Sequence, residues 1–271
     1  MTYLDDQFGL SGHTAIVAGG AGVIGSVMSE ALLNAGANVI VWSRSDQSLS
    51  QVREKLMSAG DSPGRIFTYR VDTGDEQEVA QALEHCQAES GPADILINGV
   101  GGVMGKCDFI ETDLEAFSKT VELNLMAGLM VPTKVVAAYW IKHKIKGTII
   151  NLASMASYNP LSGVWAYDAA KAAVLNLTKA TAKEFAAHGI RVNAVAPGFF
   201  LGKQNRALLV DQKTGELTDR GRAIIARTPW GRFGDVNELA GVTVFLASAK
   251  ASGFITGVTI PVDGGYLTHN I

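Results

Sequence analysis

The chain has 271 residues, 47% of them apolar and 18% charged, with a formal net charge of -3. One large domain over residues 1–271 with a substantial buried core is expected, and long disorder is not. The charge and the lack of a basic block interleaved with aromatics exclude a nucleic-acid footprint; no basic-then-apolar leader and no stretch approaching a membrane span is read, so a cytoplasmic protein is expected.

Short β-branched runs alternate with longer helical patterns, which predicts βαβ units around a parallel sheet. Seven strands are expected, at Ala15–Ala18, Val39–Trp42, Ile66–Tyr69, Ile95–Asn98, Thr148–Leu152, Arg191–Ala196 and Thr259–Val262. The fold class is therefore α/β, a Rossmann-type doubly wound seven-stranded parallel sheet flanked by helices. Helix starts are predicted at Thr73 with Glu76, Thr112 with Glu115 and Asp235 with Glu238, each spaced as a capping box or its Asp variant. Phe199–Arg232 departs from the pattern as a long polar, Arg-rich insertion, and long segments of that kind are usually lids or binding loops. Cys86 and Cys107 have neither metal-ligand nor disulfide spacing, and the five histidines are scattered, so no metal site is expected.

After the first strand comes Gly19-Gly20-Ala21-Gly22-Val23-Ile24-Gly25, which opens a helix as a pyrophosphate cradle must. At the end of the second strand, where an acid would bind the 2′-hydroxyl of NAD, stand Ser43 and Arg44. A guanidinium there can grip a 2′-phosphate, so NADP is the expected cofactor and NAD the alternative. Asp72 can either accept from the adenine amino group or cap the next helix.

Tyr167 and Lys171 stand four apart in Tyr-Asp-Ala-Ala-Lys, which puts both on one helix face, and Ser154 precedes them in Asn-Leu-Ala-Ser. An ammonium beside a phenol makes it a stronger acid. Bringing a tyrosine from its ordinary pKa to neutrality takes about 4 kcal/mol, which the lysine and a cationic cofactor ring together can supply.

With these residues in place, the chain resembles the classical short-chain dehydrogenase/reductase family over almost its whole length. The resemblance rests on Gly19 to Gly25, Asp72, Asn98, Asn124, Ser154, Tyr167, Lys171, the run Arg191 to Gly198, and the closing Ile255-Thr256-Gly257 with Val262-Asp263-Gly264-Gly265. It implies that Ser154 holds the substrate oxygen, Tyr167 trades the proton and Lys171 grips the nicotinamide ribose while lowering the tyrosine pKa. It also implies that Asn124, in the middle of the long fourth helix, anchors a proton-carrying water. Asn98, Pro197 and Gly198 would line the cofactor, and the assembly would be a homotetramer. Ala18, Val23, Gly99 and Gly202 depart from the family's usual Thr, Gly, Asn and Thr.

A narrower similarity, in Pro197 to Leu201, Gln204 to Leu209, Thr218 to Gly221 and Thr228 to Gly234, is to the branch with D-mannonate oxidoreductases (fructuronate reductases) and related sugar-acid reductases. The expected function is thus an NADP(H)-dependent oxidoreductase acting on a small sugar acid. Alternatives are a 3-oxoacyl thioester reductase or gluconate 5-dehydrogenase-like enzyme and, from another class, a non-catalytic dinucleotide-binding scaffold or sensor. Enoyl reduction is disfavoured, because Trp165 and not a lysine lies seven residues after Tyr158. An anionic substrate is predicted from the lid cations Lys203, Arg206, Arg220, Arg222 and Arg227, with Lys203 and Arg206 nearest the cofactor.

Overall fold

Strands that are buried on both faces should read as unbroken β-branched runs, and they do. The computed structural model describes residues 2–59, 65–202 and 206–268, with the side chain of Ala207 left aside. Its strands are β1 Thr14–Ala18, β2 Asn38–Ser43, β3 Ile66–Arg70, β4 Ile95–Asn98, β5 Thr148–Leu152, β6 Arg191–Pro197 and β7 Thr259–Val262. They form one parallel sheet in the order β3-β2-β1-β4-β5-β6-β7, as expected of a doubly wound fold.

Alternation along each strand divides the core in two. Ala15, Val17, Val39, Val41, Ile95 and Ile97 face one layer of helices, whereas Ile16, Ala18, Ile40, Trp42 and Leu96 face the other. On the second face Trp140 is fully buried, and its indole N–H donates to Ala93 O at 2.7 Å. A Cβ on Gly147 would lie 2.4 Å from that ring, so the glycine leaves room for it.

Two helix starts differ from expectation. Asp75, not Thr73, caps the helix Glu76–Ser90 by accepting from the amides of Gln77 and Glu78. Asp113, not Thr112, caps Leu114–Val121 through Glu115 and Ala116. In both places an aspartate lies nearer the first turn, and its charge suits the positive end of the helix better than a hydroxyl. Asp235 with Glu238 forms the capping box the spacing predicts.

The run Leu114–His143 also corrects the membrane reading, since it is long and apolar enough to cross a bilayer by length and composition. Half of its apolar window is buried inside the fold, where it packs as a core helix. Its middle, Glu122–Met130, is wound as a π-helix. The insertion after β6 contains short helices at Arg206–Leu209 and Asp219–Ala226.

Candidate active site

The order of strands reverses between β1 and β4, and ligands in such sheets bind at the carboxyl ends beside that point. Ala18 pairs with both Trp42 and Asn98, so the glycines after β1 and β4 meet there. Gly19 has φ 76°, and a Cβ on it would lie 2.8 Å from the backbone of Gly99. A Cβ on Gly25 would fall 2.3 Å from Gly19 O. Backbone bonds from Gly20 N to Val17 O and from Gly22 N to Gly19 O hold the loop without the hydroxyl that Ala18 lacks.

Gly22 begins the helix Val23–Asn34 and gives it no side-chain cap. That unprotected first turn lines a cleft of about 370 Å³ with Gly19, Val23, Ile24 and Gly25; Ser154, Tyr167, Lys171, Pro197 and Gly198 complete it. Gly20 lies beneath, where a Cβ would press on Val17 O and Val41, so its role is packing. A second cleft of about 340 Å³ shares Gly19 and Gly22 and runs to Ser43, Arg44 and Asp72. There the Arg44 guanidinium lies 3.8 Å from the Asp72 carboxylate. Asp72 caps no helix; its other oxygen accepts from Gly74 N at 2.9 Å and shapes the turn.

Joined end to end, the two clefts form a trough with a glycine floor. An uncapped helix N-terminus lies at its centre, a buried ammonium at one end and a guanidinium at the other. These features fit the pyrophosphate, one ribose and the adenosine end of a dinucleotide, and a Cβ at Gly19 or Gly25 would collide with the backbone that shapes the cradle.

Asn98 is not brought to the trough. Its amide donates to Asn151 Oδ1 at 2.8 Å and Thr133 Oγ1 at 2.9 Å, and Asn151 continues to Thr178, a buried polar ladder from β4 to the helix Trp165–Phe185. Asn124 lies in the π-wound segment with its side chain turned to the loop after β4. Its side chain accepts from Gly102 N at 2.9 Å and donates to Gly102 O and Thr120 O, so both amide donors are committed to clamping the loop after β4. A Cβ on Gly101 would lie 2.6 Å from that amide oxygen and 3.5 Å from the Lys171 ammonium, so a glycine is needed at 101.

The helix Trp165–Phe185 carries Tyr167 and Lys171 on one face, with the ammonium 5.7 Å from the phenol ring centroid. Lys171 is 5% exposed and donates to Leu152 O at 2.7 Å; burial pulls its pKa down to about 8. Burial holds the Tyr167 phenol above its ordinary value; the Ser154 hydroxyl opposes that rise in part and the Asp168 charge adds to it. The expected acidification by Lys171 is therefore not a property of the protein alone, because the ammonium is turned to Leu152 O. Ser154 is 8% exposed, and its hydroxyl accepts from Ala156 N.

Of the lid cations, Arg206 is exposed and lines neither cleft, and Lys203 lies outside the described residues. Arg222 is held by Asp219 and Leu217 O. The anion-binding role expected of Arg206 has no support in this geometry.

The family model described as enoyl-(acyl carrier protein) reductase matches residues 19–267. The chain belongs to the classical short-chain dehydrogenase/reductase family. This member is 35% identical to a 2-dehydro-3-deoxy-D-gluconate 5-dehydrogenase of Bacillus subtilis, over 99% of this chain and 100% of that one. A Haemophilus influenza structure named, provisionally, as a D-mannonate oxidoreductase with bound NAD superposes with a TM-score of 0.90, at 31% identity over 98% and 99% of the two chains. A gluconate 5-dehydrogenase from Burkholderia cenocepacia, in complex with NADP and tartrate, gives 0.86 at 30% identity, again over 98% and 99%.

Two side chains of this family member escaped sequence reasoning. Asp168 follows Tyr167, is buried and accepts from Leu161 N at 3.1 Å, holding the loop before the helix. Lys106 lines a third cleft, which also contains Tyr167. Both depend on a loop meeting another part of the fold, Asp168 on Leu161 and Lys106 on Gly163, which residue spacing does not report.

Proposed function

We propose that this protein is a cytoplasmic oxidoreductase that interconverts a ketone and a secondary alcohol on a small sugar acid, using NADP(H) in preference to NAD(H). The observation that carries this reading is the meeting of Ser154, Tyr167 and Lys171 in one cleft with an uncapped, glycine-floored helix N-terminus. A bound nicotinamide dinucleotide would supply the two-electron chemistry. Ser154 would hold the carbonyl oxygen and Tyr167 would protonate it. The Tyr167 phenol, raised above its ordinary value by burial, is protonated at neutrality, as a donor to a carbonyl oxygen must be. The Lys171 ammonium would steady the phenolate left behind and hold the cofactor ribose. In the reverse direction the same phenol must first lose its proton, so oxidation should be favoured at higher pH.

The sugar-acid class is supported by what the relatives are named for, and by tartrate in one of the similar structures. NADP is supported by Ser43 and Arg44, since no acid stands there to repel a 2′-phosphate. NAD remains the alternative, as in the Haemophilus structure. One domain over residues 1–271 carries both sites in this reading. The free thiols of Cys86 and Cys107 suit a reducing compartment. Exposed Leu114, Met126 and Met130 on the long apolar helix suit a homotetramer.

The test follows the absorbance of the reduced cofactor with keto-sugar acids, neutral ketones and a 3-oxoacyl thioester, each with NADPH and NADH. A keto-sugar acid should turn over, with kcat/KM at least about tenfold higher for NADPH, and Arg44→Ala should erase that ratio. Turnover of the thioester alone would overturn the substrate class. Cofactor binding without turnover of any carbonyl would make the protein a sensor.

A further inference from the structure

A sugar acid brings one carboxylate and several hydroxyls, so its site needs one fixed cation near the acid Tyr167 and acceptors around it. Lys171 is committed to Leu152 O and, in the function proposed above, to the cofactor. Arg232, in the neighbouring cleft, is held bidentately by Glu238 at 2.7 and 2.8 Å. Arg206 is exposed and lines none of these clefts.

Lys106 is different. It lines a cleft of about 230 Å³ that has Tyr167 in its wall, and it has no ion pair among the described residues. Its stem lies on Gly163, where φ is 79° and a Cβ would come within 2.6 Å of Lys106 Cγ. That loop is pinned to the helix that carries Tyr167. Cys107 N donates to Gly163 O at 3.1 Å, the Trp165 indole donates to Cys107 O at 3.1 Å, and Phe109 meets the Trp165 ring edge-on at 5.5 Å. The lysine is thereby fixed in register with the proton donor, while its head stays exposed. Glu111 and Asp113 line the same cleft and offer acceptors for hydroxyls.

We propose that Lys106 is the specificity-determining cation of this enzyme, binding the substrate carboxylate in the cleft beside Tyr167. The inference rests on the sugar-acid reading above and goes beyond it by naming the residue and the pocket. A charge-assisted hydrogen bond of this kind corresponds to roughly a ten- to hundredfold effect on kcat/KM. Orientation of the carbonyl toward Ser154 and Tyr167 depends on the same contact.

The test compares wild type with Lys106→Met, which keeps the stem on Gly163, and with Lys106→Arg, on a keto-sugar acid and on an uncharged ketose of equal chain length. Lys106→Met should lose about ten- to hundredfold in kcat/KM on the acid, chiefly through KM, and less than about threefold on the ketose; Lys106→Arg should recover most of the loss. Calorimetric titration with gluconate should show the same weakening without turnover, and Arg206→Ala should match wild type throughout. Equal losses on both substrates, or no loss on the acid, would overturn the role of Lys106 while leaving the sugar-acid reading intact. A wild-type enzyme that reduces ketoses but no sugar acid would overturn both.

Discussion

A buried cation beside a phenol has a thermodynamic signature that can be read apart from turnover. The Lys171 ammonium is depressed from its ordinary value to about 8 by burial, so it opposes folding at any pH where it must be charged. The penalty is full below about 8 and fades as pH climbs toward the value of a free lysine, near 10.5. Lys171→Met should therefore be inactive yet more stable by about 1–2 kcal/mol near neutrality, after allowing for the lost bond to Leu152 O. Urea midpoints should show that advantage near neutrality and its loss in strong alkali. A midpoint below wild type near neutrality would contradict this.

Asp168 acts on the neighbouring Tyr167 through charge. Its carboxyl is raised by burial, one of its oxygens has no partner, and its charge pushes Tyr167 up. Asp168→Asn keeps an acceptor for Leu161 N and removes the charge. Alcohol oxidation needs Tyr167 deprotonated, so the acid limb of its pH profile should move to lower pH. An unmoved limb would confine Asp168 to holding the loop.

Among the elements, the π-wound segment and the loop after β4 act as a unit, because Asn124 ties Glu122–Met130 to Gly102. Asn124→Ala leaves the backbone groups of Gly102 and Thr120 O without that partner, and should cost about 1–3 kcal/mol of stability while raising KM for cofactor and substrate together. Unchanged stability, measured by denaturant titration, would show that the clamp is dispensable. The sequence resemblance singles out Asn124 but not its clamp on Gly102, since side-chain direction within a π-helix leaves no trace in residue spacing. Caps at Thr73 and Thr112 fail for a related reason: each is followed within two residues by an aspartate nearer the helix start. The lid is found by its break in periodicity, yet whether Arg206 points inward is a tertiary fact that a polar run does not encode.

At the scale of the whole molecule, the sheet was legible because strands buried on both faces are written as short apolar runs between turn signals. Each expected strand lies within the observed one, and the two differ by at most one residue at either end. The glycine cradle and the Tyr167–Lys171 pair were legible for the same reason, being local patterns on regular elements. What spacing withheld is what depends on loops meeting across the fold: Lys106 on Gly163, Asp168 on Leu161, and Asn98 turned inward to Asn151.

The central claim is that Tyr167 exchanges the proton with the reacting oxygen, and single-turnover reduction of a keto-sugar acid by Tyr167→Phe tests it most directly. The substitution removes one hydroxyl and leaves the helix packing in place. The rate should fall by a factor of at least about 10²–10⁴ while the cofactor dissociation constant stays near that of wild type. A variant that keeps a tenth of the wild-type rate would contradict the account.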